Sequence, residues 1–110
     1  MMRLVPIVEG FGEARAVPIL MYRWLNARGL IGEFLVPDLA INAKGCGRLK
    51  ADHDPQNHRG IEHYVRQALR AKPDAIITLL DADDECLKRA QGKRLGPELL
   101  ERARAVAGRV

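Results

Sequence analysis

Apolar and polar positions along this chain fall into two alternating rhythms. Residues 3–8 form a run rich in Leu, Val and Ile, which predicts a first strand. Pro6 lies inside that run and weakens it, because proline has no N–H to give to a ladder. The run stops at Glu9-Gly10, where Gly10 and Gly12 permit a tight turn from strand to helix. Val17, Leu20, Met21, Trp24 and Leu25 then recur at helical spacing and predict an amphipathic helix with these five on its core face. Pro18 suits only a first turn, so this helix is expected to begin near Ala14 or Arg15 and to stop at Gly29.

The middle of the chain is less regular. Residues 34–36 and 39–41 predict one strand broken at Pro37, or an edge strand with a bulge, and residues 43–59 read as polar loop. Ile61, Tyr64, Val65, Ala68 and Leu69 restore the helical period, and Lys72-Pro73-Asp74 ends that second helix. Residues 76–80 are a continuous apolar run of the kind buried on both faces, and they predict the central strand. After an unassigned stretch, Gly96-Pro97-Glu98 opens a third helix carrying Leu99, Leu100, Ala103 and Val106. The order predicts an α/β, Rossmann-like fold: a mostly parallel sheet of three to four strands with about three helices.

At 110 residues the chain is read as a single domain spanning residues 1–110. Hydrophobic content of 47% with 29% charge disfavours disorder, and no apolar run approaches the ~20 residues of a membrane helix. Cys46 and Cys86 are isolated, without metal-ligand spacing, and read as reduced thiols; the expected compartment is the cytoplasm. The net charge of +4 is uneven. From Lys88 onward seven cations face two anions, a net +5, which leaves −1 on the first 87 residues. Such a tail suits a polyanionic partner or simply solvates a helix.

The chemistry gathers at strand exits. The 76–80 run ends in Asp81-Ala82-Asp83-Asp84, three carboxylates within four residues, which repel one another unless a cation sits among them. Hard oxygen ligands point to Mg²⁺ or Mn²⁺. Glu9 also follows a strand, and Glu13 stands one helical turn later. If the two strands are neighbours, about 4.8 Å apart, these acids converge beyond the carboxyl ends of a parallel sheet, where ligands bind. The plainer readings are turn and capping acids for Asp81, Asp83 and Asp84, and a helix N-terminal charge for Glu13. Asp52-His53-Asp54 with His58 and His63 reads as a solvated loop, as do Lys44, Arg48 and Lys50, although these cations could contact phosphate.

Ile7-Val8-Glu9-Gly10-x-x-Glu13 followed by Leu80-Asp81-Ala82-Asp83 resembles the TOPRIM (topoisomerase–primase) domain over about residues 3 to 106. Within that group it is most similar to the nuclease branch related to OLD-family (overcoming lysogenisation defect) proteins and to a bacterial family of small TOPRIM-like proteins. The resemblance implies Mg²⁺- or Mn²⁺-dependent phosphodiester chemistry on nucleic acid, DNA rather than RNA. It implies Glu9 as general acid/base or metal ligand, Asp81 and Asp83 as the metal-binding pair, and Glu13 as the second glutamate of the nuclease branch; Asp84, next to the pair in the sequence, is a further candidate as metal ligand, supporting group or cap. It also implies a fourth strand beyond Val110, so the domain is expected to be incomplete at its C-terminus, with a sheet edge open to association of copies. The alternative is a catalytically silent module of the same fold that binds a partner such as an ATPase. A phosphatase with Asp81 as nucleophile is a lesser third reading, because no downstream Ser/Thr and Lys set accompanies it.

Overall fold

The computed structural model describes residues 1–44, 46–79 and 95–108. In chain order these form β1 (Met2–Val8), α1 (Phe11–Ala27), β2 (Phe34–Leu35), β3 (Ile41–Asn42), α2 (Cys46–Lys50), a 3₁₀ turn (Pro55–Asn57), α3 (Ile61–Leu69), β4 (Ala75–Thr78) and α4 (Leu95–Ala107). The architecture is α/β, with a small open parallel sheet of four strands and four helices among the described residues, compatible with a Rossmann-like fold. The helix α2 falls where the polar composition predicts only loop. Five residues are too few for a periodic signal, and so short a helix is stable only through what it packs against.

β1, rather than the 76–80 run, is the central strand. β4 pairs along one edge of it, from Leu4↔Ala75 to Ile7↔Thr78. Along the other edge, β2 pairs with Met2 and Arg3 while β3 pairs with Ile7 and Val8. Successive side chains of β1 point to opposite faces. Val5 and Ile7 pack with Leu49 of α2, with Ile61, Tyr64, Val65 and Ala68 of α3, and with Leu99 of α4. Val8 packs on the opposite side with Ala14, Val17 and Met21 of α1 and with Ala40. One face of the sheet is therefore covered by α1 and the other by α2, α3 and α4. Residues 75–78 of β4 are only half-buried, so their apolar character reflects β-propensity and one-sided packing more than a central position.

The two prolines that unsettle the sequence reading are both fully buried. Along β1 the carbonyls of Arg3 and Ile7 accept N–H groups from Asp74 and Leu79, so odd-numbered backbone groups face β4. Met2 donates to the Glu33 carbonyl and Val8 accepts from Ala43, so even-numbered groups face the β2/β3 edge. Pro6 is even-numbered and falls in the gap between β2 and β3, where the ladder asks it for no donor. In that gap the Tyr22 hydroxyl donates to the Val36 carbonyl at 2.6 Å and accepts the Val36 N–H at 3.2 Å.

Pro18 lies well inside α1, which starts at Phe11 rather than near Ala14 or Arg15. Without an N–H it leaves the Ala14 carbonyl unclaimed by the helix. That carbonyl instead accepts the Ala40 N–H at 2.9 Å, so the defect in the helix anchors the approach to β3.

Burial on α1 also departs from the periodic expectation. Ala14, Val17, Pro18 and Leu25 are buried, but Leu20 and Trp24 are 58% and 55% exposed, and the Arg28 guanidinium stands 4.8 Å from the Trp24 ring centroid. The core stripe of α1 is narrow and centred one position away, because only one sheet face and a short loop lie beneath it. Leu100 of α4 is likewise half exposed, while Leu99 is buried and Ala103, Val106 and Ala107 are partly buried against the same core.

The predicted stop of α1 holds. Gly29 has φ +70°, Leu30 donates to the Leu25 carbonyl and Gly29 to that of Asn26, which is a Schellman cap. Gly60, at the start of α3, has φ +92°, and a Cβ there would meet the His53 Cα at 2.8 Å. No described helix is long and apolar enough to cross a membrane.

Candidate functional site

The site is built where β1, β3 and β4 end side by side. Glu9 directly follows β1 and is 6% exposed, the only buried charged residue among those described. A carboxylate in that position is costly unless a cation accompanies it. Lys50, the last residue of α2, brings its Nζ to 3.7 Å from Glu9 Oε1, with its own side chain 11% exposed. The pair closes the carboxyl end of the central strand.

Glu13 stands beside Glu9 in the fold but faces the backbone. Its Oε2 accepts the Gly10 N–H at 2.9 Å, closing the start of α1. This is one arm of a capping box, and the reciprocal arm is missing because glycine has no side chain. The negative charge also complements the N-terminal end of the helix dipole.

Asn42 ends β3 at the same edge, beside Val8. Its Oδ1 accepts the Lys44 N–H at 2.8 Å and holds Lys44 at φ +58°, a left-handed conformation rare outside glycine. Its Nδ2 is buried without a hydrogen-bond acceptor among the described residues. The sequence reading omits Asn42, although a polar residue ending an apolar strand is the same signal that singles out Glu9. It also leaves Lys50 among solvated loop cations, since nothing in five irregular residues tells which lysine turns inward.

β1 and β4 are adjacent and parallel, the condition for the two sets of acids to meet. Leu79 donates its N–H to the Ile7 carbonyl at 2.9 Å. In the sequence Asp81 follows Leu79 by two residues, as Glu9 follows Ile7. Asp81, Asp83 and Asp84 themselves lie outside the described residues. Among the described residues, no group of three or more His, Cys, Asp or Glu side chains is placed to hold a metal ion.

Around the site runs a scaffold of polar contacts. Arg102 of α4 meets Glu62 of α3 in a two-point pair, Nη2 to Oε1 at 2.6 Å and Nε to Oε2 at 3.2 Å. The same guanidinium donates to the Ala51 carbonyl at 2.7 Å and the Lys50 carbonyl at 3.4 Å, finishing the end of α2. Burial pushes the Glu62 carboxyl up, but the Arg102 hydrogen bonds outweigh it and hold the group below its ordinary value. Arg102, one of the tail cations, is thus committed to structure.

The loop acids and histidines fold on themselves. Asp54 and Arg59 exchange backbone hydrogen bonds, and the Asn57 amide donates to Asp54 Oδ2 at 2.7 Å, which holds that carboxyl low. The His58 and His63 rings stack with centroids 4.8 Å apart, and the Tyr64 hydroxyl donates to the His58 carbonyl at 2.6 Å. Burial holds the His63 imidazole below its ordinary value, with the charges of His58, Arg70 and His53 acting in the same direction.

Comparison with family models, curated proteins and solved structures returned no match.

Proposed function

We propose that this chain is a TOPRIM-like domain whose Glu9 site carries Mg²⁺- or Mn²⁺-dependent phosphodiester hydrolysis or transfer on nucleic acid, DNA rather than RNA. The supporting observation is the buried Glu9 carboxylate at the end of the central strand, already facing a cation and bordered by the strand that leads into Asp81 and Asp83. A buried carboxylate oxygen that accepts a positive neighbour fits a hard divalent cation. Glu9, Asp81 and Asp83 would hold it, with Glu13 and Asp84 as further oxygen donors. When bound, such an ion lowers the pKa of a bound water and offsets charge on a leaving oxygen. Glu9 serves either as one of its ligands or as the group that takes or returns the proton, and its exclusion from bulk water strengthens both roles. Glu13 already gives its Oε2 to the Gly10 N–H, which leaves Oε1 as its donor atom.

The test is Mn²⁺ calorimetry on wild type, Glu9→Gln and Asp81→Asn/Asp83→Asn, alongside nicking of supercoiled plasmid. The expected result is weak Mn²⁺ binding and nicking by wild type, with both lost in the variants. Equal, negligible heat from all three proteins would refute the metal site.

A second reading draws on α1, where Ile19, Leu20 and Trp24 face outward beside Arg23 and Arg28. On that reading the domain is catalytically silent and serves as a binding module for a partner such as an ATPase. Mn²⁺ binding without nicking would favour it.

A further inference from the structure

We propose that Lys50 is the resident counter-cation of the Glu9 carboxylate, displaced when a divalent ion binds and turned onto the phosphate oxygens of the nucleic acid. This rests on the reading of Glu9 as part of a metal site and assigns a role to a residue which that reading leaves out.

Three observations carry it. The first is the separation: 3.7 Å between Lys50 Nζ and Glu9 Oε1 exceeds the 2.7–2.9 Å of a charge-assisted hydrogen bond. The contact at this oxygen is therefore an electrostatic one between two opposite charges. The second is burial. With side chains 11% and 8% exposed, the two charges sit where water screens poorly, so removing the cation without replacing it is unfavourable. An arriving divalent ion supplies that replacement.

The third is the contrast between a fixed backbone and a flexible side chain. Leu49 is fully buried in the core, the Arg48 carbonyl accepts the Gly60 N–H at 2.7 Å, and Arg102 donates to the carbonyls of Lys50 and Ala51. The carbonyls of Arg48, Lys50 and Ala51 are thus held by Gly60 at the start of α3 and by Arg102 of α4, which fixes the Lys50 Cα beside the sheet. The lysine beyond it is a point charge on a four-carbon stem with freely rotating donors. It can leave Glu9 and still remain over the site. A cation so placed relieves two problems in turn, the buried carboxylate before metal binding and the substrate phosphate after it.

The experiment measures Mn²⁺ affinity by calorimetry for wild type, Lys50→Met and Lys50→Arg, each checked by thermal melt. Lys50→Met should bind Mn²⁺ about tenfold or more tightly than wild type, the low end of couplings between close buried charges. Lys50→Arg, which keeps a cation there, should stay near wild type. With Mn²⁺ present, Lys50→Met should also lower the salt dependence of binding to a fluorescein-labelled single-stranded deoxyoligonucleotide by about 0.7 in log–log slope, the loss of one phosphate contact.

Unchanged or weaker Mn²⁺ affinity in Lys50→Met, with wild type binding, overturns the displacement role and leaves the metal site standing. No binding by either protein overturns both together. Should Lys50→Met fail to fold, Mg²⁺ titration of ¹³C-lysine-labelled wild type followed by NMR takes its place. The Lys50 ε-methylene resonance, identified by its absence in Lys50→Arg, should shift as Mg²⁺ is added. A stationary Lys50 signal while other resonances move overturns the proposal.

Discussion

Replacing Arg102 with methionine keeps most of the aliphatic stem and removes only the guanidinium. That group makes two hydrogen bonds to Glu62, at 2.6 and 3.2 Å, and two to the end of α2, at 2.7 and 3.4 Å. The ion pair is 23% exposed on the arginine side and 17% on the glutamate side. Breaking a fully buried pair costs about 3–5 kcal/mol and an exposed one about 0–1 kcal/mol. At this partial exposure, with two carbonyls also losing a donor, the expected loss is about 2–3 kcal/mol, or a Tm lower by roughly 10–20 °C. Urea unfolding of wild type, Arg102→Met, Glu62→Gln and the double variant measures it. The double variant should be less destabilised than the sum of the singles, with a coupling of about 1.5 kcal/mol, because Glu62→Gln removes the carboxylate that Arg102→Met strands.

The pH dependence gives an independent check on the same pair. Glu62 is held below its ordinary value of 4.5 in the folded chain, so its contribution is full above that value and is lost as pH falls below it toward the lower folded pKa. Arg102→Met should flatten this acid limb. A loss under about 0.5 kcal/mol with no coupling would show that Arg102 merely covers the surface, and the account of how α2 is positioned would fall with it.

Two further predictions concern residues whose environment the fold decided. Trp24→Ala should cost under about 1 kcal/mol, mainly the contact with Arg28, and iodide should readily quench the fluorescence of this single tryptophan; a loss near 3 kcal/mol would mean the ring is in the core. The folded-state pKa of His63 lies below its ordinary 6.5, so the unfolded chain takes up the proton first and stability falls as pH drops below about 6.5. Unfolding free energies from about pH 7.5 to 5.5 should show this decline in wild type and a smaller one in His63→Phe; parallel profiles would refute it.

Much of the fold is legible wherever a residue's role depends on its neighbours in the chain. The stop at Gly29 follows from local backbone geometry, and the buried face of α3, with Ile61, Tyr64, Val65 and Ala68, follows from a period of 3.6 over a helix with one covered side. An acid at the exit of the first strand was also legible, and the fold adds that this acid, Glu9, is buried there. The order of the longer elements came through for the same reason, whereas the short α2 and the separation of β2 from β3 did not.

Pairing across distance lies beyond what neighbouring residues specify. Strand content does not tell which strand is central, so β1 rather than 76–80 took that place through its three partners. Pro18 is tolerated inside α1 because Ala40, far along the chain, uses the carbonyl it leaves. Trp24 fits the helical period yet faces outward, since the area beneath α1 admits a narrower stripe than the sequence offers. Lys50 is the clearest case. By itself it is one more cation in a polar stretch, and only the hold of α3 and α4 on α2 brings it to Glu9. Local interactions set the elements, whereas the partner of a buried charge depends on which elements pack together.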